Sequence, residues 1–533
     1  MTQPEERPVV IHGPLTGDAE RIAMAPRALP DVAPAIQPST DVVGPLLVNP
    51  VADAERDVRT APAVVSAAPT ERVFGLDAFR GFLLLAMNFS FTIPPWGPFP
   101  KWMYHTQVPP SPTRDYVSVA GLTWQDLLFA MFVFTMAAAI PIAMSARLAR
   151  GKPYPEIMVQ AFRRGGLLVL FALLIGHVNP YWTQDYTKRG NVLALAGLLV
   201  AFAVFLQPPR SWKPTVVRAL KYTGWGAAAL VLFGVPLLYG QRFSFDRQDY
   251  IMAALAFTTV AGTALWLATR RFMRARVLLF ALIVLGRVLA GQLDVVAGAW
   301  FANPLPWVYE PWYLDLLLLV IPGTIAGELI WRWMKRDTSA GTTGWTSRKL
   351  LALSALGLAV IPVLLVGLYE RRYPLATTLV VFAIAGGLLL ISQRPSTERD
   401  RVIAHLFRWS AALMCIGMLA EPLEGGIKKD PQTLGFLFLM GGTAMAALAS
   451  LMIAADVFRS GRRTLSPVAL IGQNALFAYV IIMLGFEHIL WLTGAGNAMT
   501  ATWQQATIRS IGLTALAGLI VWAATKRRLI WKT

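Results

Sequence analysis

The sequence predicts an all-α polytopic membrane protein, a bundle of about 11–14 transmembrane helices with both termini in the cytoplasm. Three observations lead there. The chain of 533 residues is 56% hydrophobic and only 15% charged, with a mean hydropathy of +0.53, which is too apolar for an ordinary soluble domain. Its apolar residues gather into runs of about 20, the length that crosses the hydrocarbon of a bilayer. Its basic residues gather in every second loop, which fixes the side on which those loops lie. The formal net charge of +18 is therefore an imprint of topology, and a nucleic-acid partner is not expected. Cys415 is the single cysteine, so no intramolecular disulfide and no cysteine-based metal site can form.

Residues 1–72 differ from all that follows, being rich in Pro, Ala and Val with scattered charges and no helical period. They read as a disordered cytoplasmic tail, because such a segment buries too little surface to offset its ordering entropy. The membrane domain, 73–533, follows. Apolar runs near 74–95 and 122–145 open it, separated by a Pro- and Trp-rich loop that carries His105. Further runs lie near 158–178, 191–207, 216–239, 250–269 and 275–292, each divided from the next by a polar turn. The rest lie near 312–333, 350–369, 374–392, 407–422, 433–457, 467–491 and 506–525. The close pair around Tyr369 to Tyr373 and the short run before Glu421 are the least distinct.

Orientation follows the bases. Arg147, Arg150 and Lys152, then Arg270, Arg271, Arg274 and Arg276, then Arg459, Arg462 and Arg463 mark loops of one side, the cytoplasmic one. Trp102, Tyr104, Tyr181 and Trp182 in the opposite loops suit an interfacial belt. His105 therefore faces outward.

Ionisable side chains inside such a bundle are costly, and they mark sites or structural pairs. Asp77 and Arg80, three residues apart, share a helix face near the inner end of the first run, and Asn88 lies further along that side. Together they could line a polar path toward His105, whose imidazole is suited to act as a base near neutral pH. Asp77 with Arg80 also reads as a packing ion pair, His105 as a plain loop residue, and Asp126 as the acid that complements a helix N-terminus. His177 and His488 are the other outward histidines, but no ligand spacing supports a metal. Glu421, Glu424, Lys428, Lys429 and Asp430 sit in one outward loop with paired glycines, either a solvated connector or a clamp for an anion. Arg287, deep in the seventh run, needs a partner, for which Asp315 and Glu328 are the candidates.

The motifs LDAFRG, GLTWQDLLFAMFVF, GGIKKDPQTLGFLF and GQNALFAYV, with a histidine between the first two, resemble those of the transmembrane acyltransferases related to heparan-α-glucosaminide N-acetyltransferase. The resemblance extends from about Arg72 to the end and is loosest in the middle. It differs in the roughly fifteen residues between His105 and Gly121, and in Ala130 and Met131 where the family usually has a proline. The resemblance implies acetyl-CoA as cytosolic acyl donor and a sugar or glycan acceptor on the other side, with no metal. It implies catalytic roles for His105, Asp77 and Asn474, and donor or substrate binding by Arg80, Asp126, Lys428 and Lys429, to which the residue pattern adds Asn88. Arg163 and Arg164, with Arg80, are candidates for the CoA phosphates. A bacterial inner membrane is the expected location, and a homo-oligomer is compatible with it. A transporter or flippase for a small molecule or glycolipid is the competing reading, since a bundle with intramembrane Asp, Arg and Glu serves either use.

Overall fold

The computed structural model describes residues 73–94, 97–108, 117–209, 211–302, 311–336 and 344–531. The tail expected over 1–72 lies outside the described residues. The protein is 77% helical with almost no sheet, an all-α polytopic membrane protein. That outcome is forced by the medium, because a backbone crossing hydrocarbon must satisfy its own hydrogen bonds.

The first six helices are α1 (Phe74–Phe91), α2 (Trp124–Leu148), α3 (Tyr154–Val178), α4 (Lys188–Phe205), α5 (Pro214–Leu238) and α6 (Tyr250–Thr269). Next come α7 (Met273–Ala290) and the short α8 (Asp294–Trp300), which meet at a bend of 119°. A 3-10 turn over Pro311–Leu316 leads into α9 (Leu317–Arg336), followed by α10 (Ser347–Gly367), α11 (Pro374–Ile391) and α12 (Glu398–Leu419). The last are α13 (Leu434–Met452), which runs on through a π turn to Val457, α14 (Gly461–Gln473), α15 (Ala475–Leu492, with a π segment over Ile482–Phe486) and α16 (Trp503–Lys526). Among the described residues 13 helices are long and apolar enough to span, or 14 if α7 and α8 form one crossing. The indistinct pair around Tyr369 is two helices, joined by a 3-10 turn at Tyr369–Arg371.

One expected run is divided. The stretch near 467–491 breaks at Asn474, whose backbone leaves the helical region (φ −120°, ψ 47°). Upstream of the break α14, GRRTLSPVALIGQ, is amphipathic: Arg462, Arg463, Thr464 and Ser466 alternate with Leu465, Val468, Ala469 and Ile471, so only its apolar stripe packs inward. It crosses α1 at glycines. A Cβ on Gly81 would fall 1.9 Å from the Val468 carbonyl oxygen, and one on Gly472 would fall 2.0 Å from that of Asp77. Only glycine permits backbones so close, the same logic by which small residues line helix contacts within membranes. The N-terminus of α1 is held by Asp456, whose carboxylate accepts from the N–H groups of Phe74 (3.1 Å) and Gly75 (2.7 Å).

Burial separates centre from rim. Within their spanning windows α13 is 94% buried, α9 89% and α2 78%, whereas α11 and α16 are 28% buried and present most of their surface to lipid. At the end where α1 begins, the chain terminus folds back, and β2 (Ile530–Trp531) pairs antiparallel with β1 (Leu206–Gln207). Arg287 finds two acids, Asp315 (3.3 Å) and Glu424 (3.0 Å). Glu328 instead pairs with the buried Arg276 (2.8 Å).

Candidate functional site

At the outward end the Leu122–Thr123–Trp124 entry into α2 decides the geometry. Asp126 stands in the first turn, where its carboxylate accepts from the N–H and hydroxyl of Thr123 (2.8 and 3.0 Å). It also accepts from the N–H and hydroxyl of Thr106 (3.3 and 3.1 Å), and the Nδ1 of His105 lies 2.8 Å from its other oxygen. Asp126 is wholly buried and the His105 side chain is 32% exposed. One carboxylate therefore both caps α2 and holds the imidazole. A carboxylate at Nδ1 keeps the proton on that nitrogen, which leaves Nε2 free to accept another from outside. The loop before it is fixed by Gln125, which donates to the Met103 carbonyl (2.6 Å), and by the Tyr104 hydroxyl, which donates to that of Pro94 (3.0 Å).

The GGIKKD loop docks beside this pair. The N–H of Gly121 donates to the Ile427 carbonyl (2.8 Å), and a Cβ on Gly426 would meet that of Ala120 at 2.5 Å. Both glycines have positive φ, +136° and +104°, conformations an L side chain rarely adopts. Lys429 pairs with Asp430 (2.8 Å), and its charge also acts on the Asp126 carboxylate. Lys428 anchors the loop through its backbone N–H, which donates to the Thr433 hydroxyl (3.1 Å). Glu424 ties the same loop to Arg287.

At the inward end a cavity of about 870 Å³ opens among α1 to α6, α14 and α15. Along α2 its wall runs from Arg147 at the mouth to Phe132 at the bottom, about 22 Å at 1.5 Å per residue. Arg80, Arg147, Arg163, Arg164 and Lys221 line it, and among the described residues no carboxylate does. The guanidinium groups of Arg80 and Arg147 are close enough to repel that of Arg164, an arrangement that a bound polyanion would relieve. Arg80 pairs with Asp77 (3.3 Å) and donates to the Thr135 carbonyl (3.4 Å), bridging α1 to α2. Lys221 spends its ammonium on the carbonyls of Ala203, Val204 and Leu206 and closes the end of α4.

The cavity does not extend to the outward pair. His105, Asp126, Lys428 and Lys429 are not among the residues lining the cavity, whose deepest wall is Met87, Phe132, Met252 and Tyr479. From Phe132 to Asp126 is about 9 Å along α2. The intervening layer holds Phe91 packed on Tyr479, Phe129 packed on Tyr250, and Phe89 packed on Trp124. Asn88 belongs to that layer. It follows Met87 directly, is 1% exposed, and neither atom of its amide has a hydrogen-bond partner. An unpaired buried amide is costly, so it marks a place where a ligand group would be welcome.

Asn474 does not join the His105 site. Its amide nitrogen donates to the Thr525 hydroxyl (3.2 Å) and the Leu529 carbonyl (2.9 Å), and its oxygen accepts from the N–H of Trp531 (2.9 Å). The amide is fully used as a clamp for the returning C-terminus, and Gly472 beside it sits on Asp77 at the inner end. Asp77 likewise lies at that end, with Arg80, away from the imidazole.

Two features have no sequence signature. Tyr479 of the cavity wall donates to Asp249 (2.7 Å), which also caps α6 through the Met252 N–H (2.9 Å). Burial raises the Asp249 carboxyl to about 6 despite these bonds. Arg147 is recognisable as a topology charge but not as cavity lining, because only the packing of the bundle as a whole brings it to the cavity.

A family model described as a domain of unknown function (DUF5009) matches residues 72–330. Comparison with curated proteins gives no match. The matched stretch takes in the His105–Asp126 pair and the cavity walls from α1, α2, α3 and α6, and stops within α9, before the GGIKKD loop.

Proposed function

We infer that the protein is a membrane-bound acyltransferase, which takes an acetyl group from acetyl-CoA at its cytoplasmic face and delivers it to a sugar or glycan acceptor on the other side. The observation that carries this reading is the His105–Asp126 pair at 2.8 Å, a base held in one tautomer by a buried acid at the outward end. The cation-lined cavity beneath it supports the same reading, because it offers a polyanionic head group positive charge at the mouth and apolar walls beyond. A bacterial inner membrane suits the donor, which is cytosolic.

In this reading Arg163 and Arg164 hold the CoA phosphates and the pantetheine arm extends toward Met87. The acceptor hydroxyl or amine gives its proton to Nε2 of His105 as its oxygen or nitrogen bonds to the acyl carbon. The C–S bond then breaks, and the proton passes from the imidazolium to the departing thiolate, so that free CoA and acylated acceptor result. Asn88, with its unpaired amide, is placed to meet the acyl carbonyl once the layer above Met87 parts.

The test is label transfer from radiolabelled acetyl-CoA to candidate amino sugars by detergent-purified protein. Wild type is expected to transfer, His105→Ala to lose the activity, and Asp126→Asn to lower it by about 10²- to 10⁴-fold. Undiminished transfer by His105→Ala contradicts the reading. Ligand movement across proteoliposomes with no acylated product favours a transporter instead.

A further inference from the structure

The bottom of the cavity offers more apolar wall than an acetyl group can cover. Leu84, Met87, Phe132, Met136, Met252 and Leu255 wall it. The hydroxyls nearby are turned into the protein. Tyr479 directs its hydroxyl to Asp249 (2.7 Å), leaving its ring to the cavity. Thr259 donates to the Leu255 carbonyl (2.8 Å) and rests 3.5 Å from the Met136 sulfur, and Thr258 donates to the same carbonyl (3.1 Å). Water has few partners in such a place, so an apolar ligand group is the natural occupant. An acetyl group supplies one methyl and would leave most of this wall facing a void.

We propose that the bottom of the cavity is an acyl pocket for short-chain groups longer than acetyl, of the propionyl and butyryl class, with Met87, Met136 and Met252 setting the length accepted. The proposal rests on the acyl-CoA reading above and specifies its donor. Methionine suits such a wall because it is unbranched and its thioether is polarizable, and its three rotatable bonds let it retreat from a longer chain or close on a shorter one. The Thr259 hydroxyl, its proton on the Leu255 carbonyl, rests against the sulfur of Met136. Each methylene buried there adds about fourfold in affinity until the bottom is reached.

The experiment is competition of CoA, acetyl-, propionyl-, butyryl- and hexanoyl-CoA against labelled CoA on the full-length protein in nanodiscs. Wild type is expected to bind propionyl- and butyryl-CoA progressively more tightly than acetyl-CoA, by about fourfold per methylene, with the gain ending at hexanoyl. Met136→Phe should move the optimum to acetyl and Met252→Ala should move it to longer chains, while plain CoA binds all three proteins alike. Affinity that is flat from CoA to butyryl-CoA, with both variants unchanged, overturns the acyl pocket and leaves the acyl-CoA reading standing. No saturable binding of labelled CoA overturns both.

Discussion

Five donors surround the carboxylate of Asp126: the N–H and hydroxyl of Thr123, the N–H and hydroxyl of Thr106, and Nδ1 of His105. A carboxylate so enclosed is a rigid anchor, which is what a base needs if its ring is to be held at one angle. A second carboxylate uses the same device for stability alone. Burial by itself would raise Asp185, but donors from Thr187, Tyr239 and Arg189 outweigh it and hold the carboxyl at about 2. Burial and the Asp185 charge push Tyr239 up to about 12 in turn. Because the Asp185 value is depressed on folding, its contribution is complete above the unfolded carboxylate range near pH 4 and disappears as pH falls toward about 2. Asp185→Asn is therefore expected to lower the melting temperature at pH 6 and to have no effect near pH 2, measured by thermal unfolding in detergent. An equal deficit at both pH values would contradict the assignment. His105 and Asp126 were both legible as single residues, since an outward histidine and an acid at a helix start announce themselves. Their pairing was not legible, because the loop that folds one onto the other crosses 21 positions and carries no periodic signal. Asn474 misled for the related reason that its partners, Thr525, Leu529 and Trp531, arrive from more than 50 positions away.

Among elements, the crossing of α14 over α1 shows what small residues accomplish in this bundle. The nearest atoms to an added Cβ on Gly472 are the Asp77 carbonyl oxygen at 2.0 Å and the Gly81 nitrogen at 2.8 Å, both backbone, so neither can swing aside. Gly472→Ala should force the helices apart and cost roughly 1–3 kcal/mol or more, read as a fall in melting temperature and in yield of folded protein. Gly512→Ala, where a Cβ meets nothing within 4 Å, is the control and should be neutral. Apolar length alone placed nearly every helix, because a bilayer accepts little else. It could not separate α14 from α15, since Leu465 to Ile471 reads as continuous with the apolar run after Ala475. Nor could it foresee the bend between α7 and α8, where Gly291 and Gln292 interrupt the helix.

At the scale of the whole molecule, two ends differ in chemistry, and the proposed reaction rests on both. The inner end gathers positive charge around a cavity, the outer end holds an imidazole on a buried acid, and a layer of aromatic side chains with Asn88 divides them. The alternation of basic loops assigns the arginine-lined end to the cytoplasm, and LDAFRG and GGIKKD lie at opposite ends of the bundle. The cavity itself was hidden, because its walls come from eight helices whose facing stripes only packing defines. The most direct measurement uses proteoliposomes of one orientation, with acetyl-CoA supplied on the side of the arginine cluster and an amino sugar sealed on the side of His105. Acetylated sugar is expected to accumulate on the His105 side, with an Arg163→Ala, Arg164→Ala double variant raising KM for acetyl-CoA and His105→Ala ending the reaction. Acetylation that proceeds without His105, or only when acetyl-CoA is on the His105 side, would contradict the account.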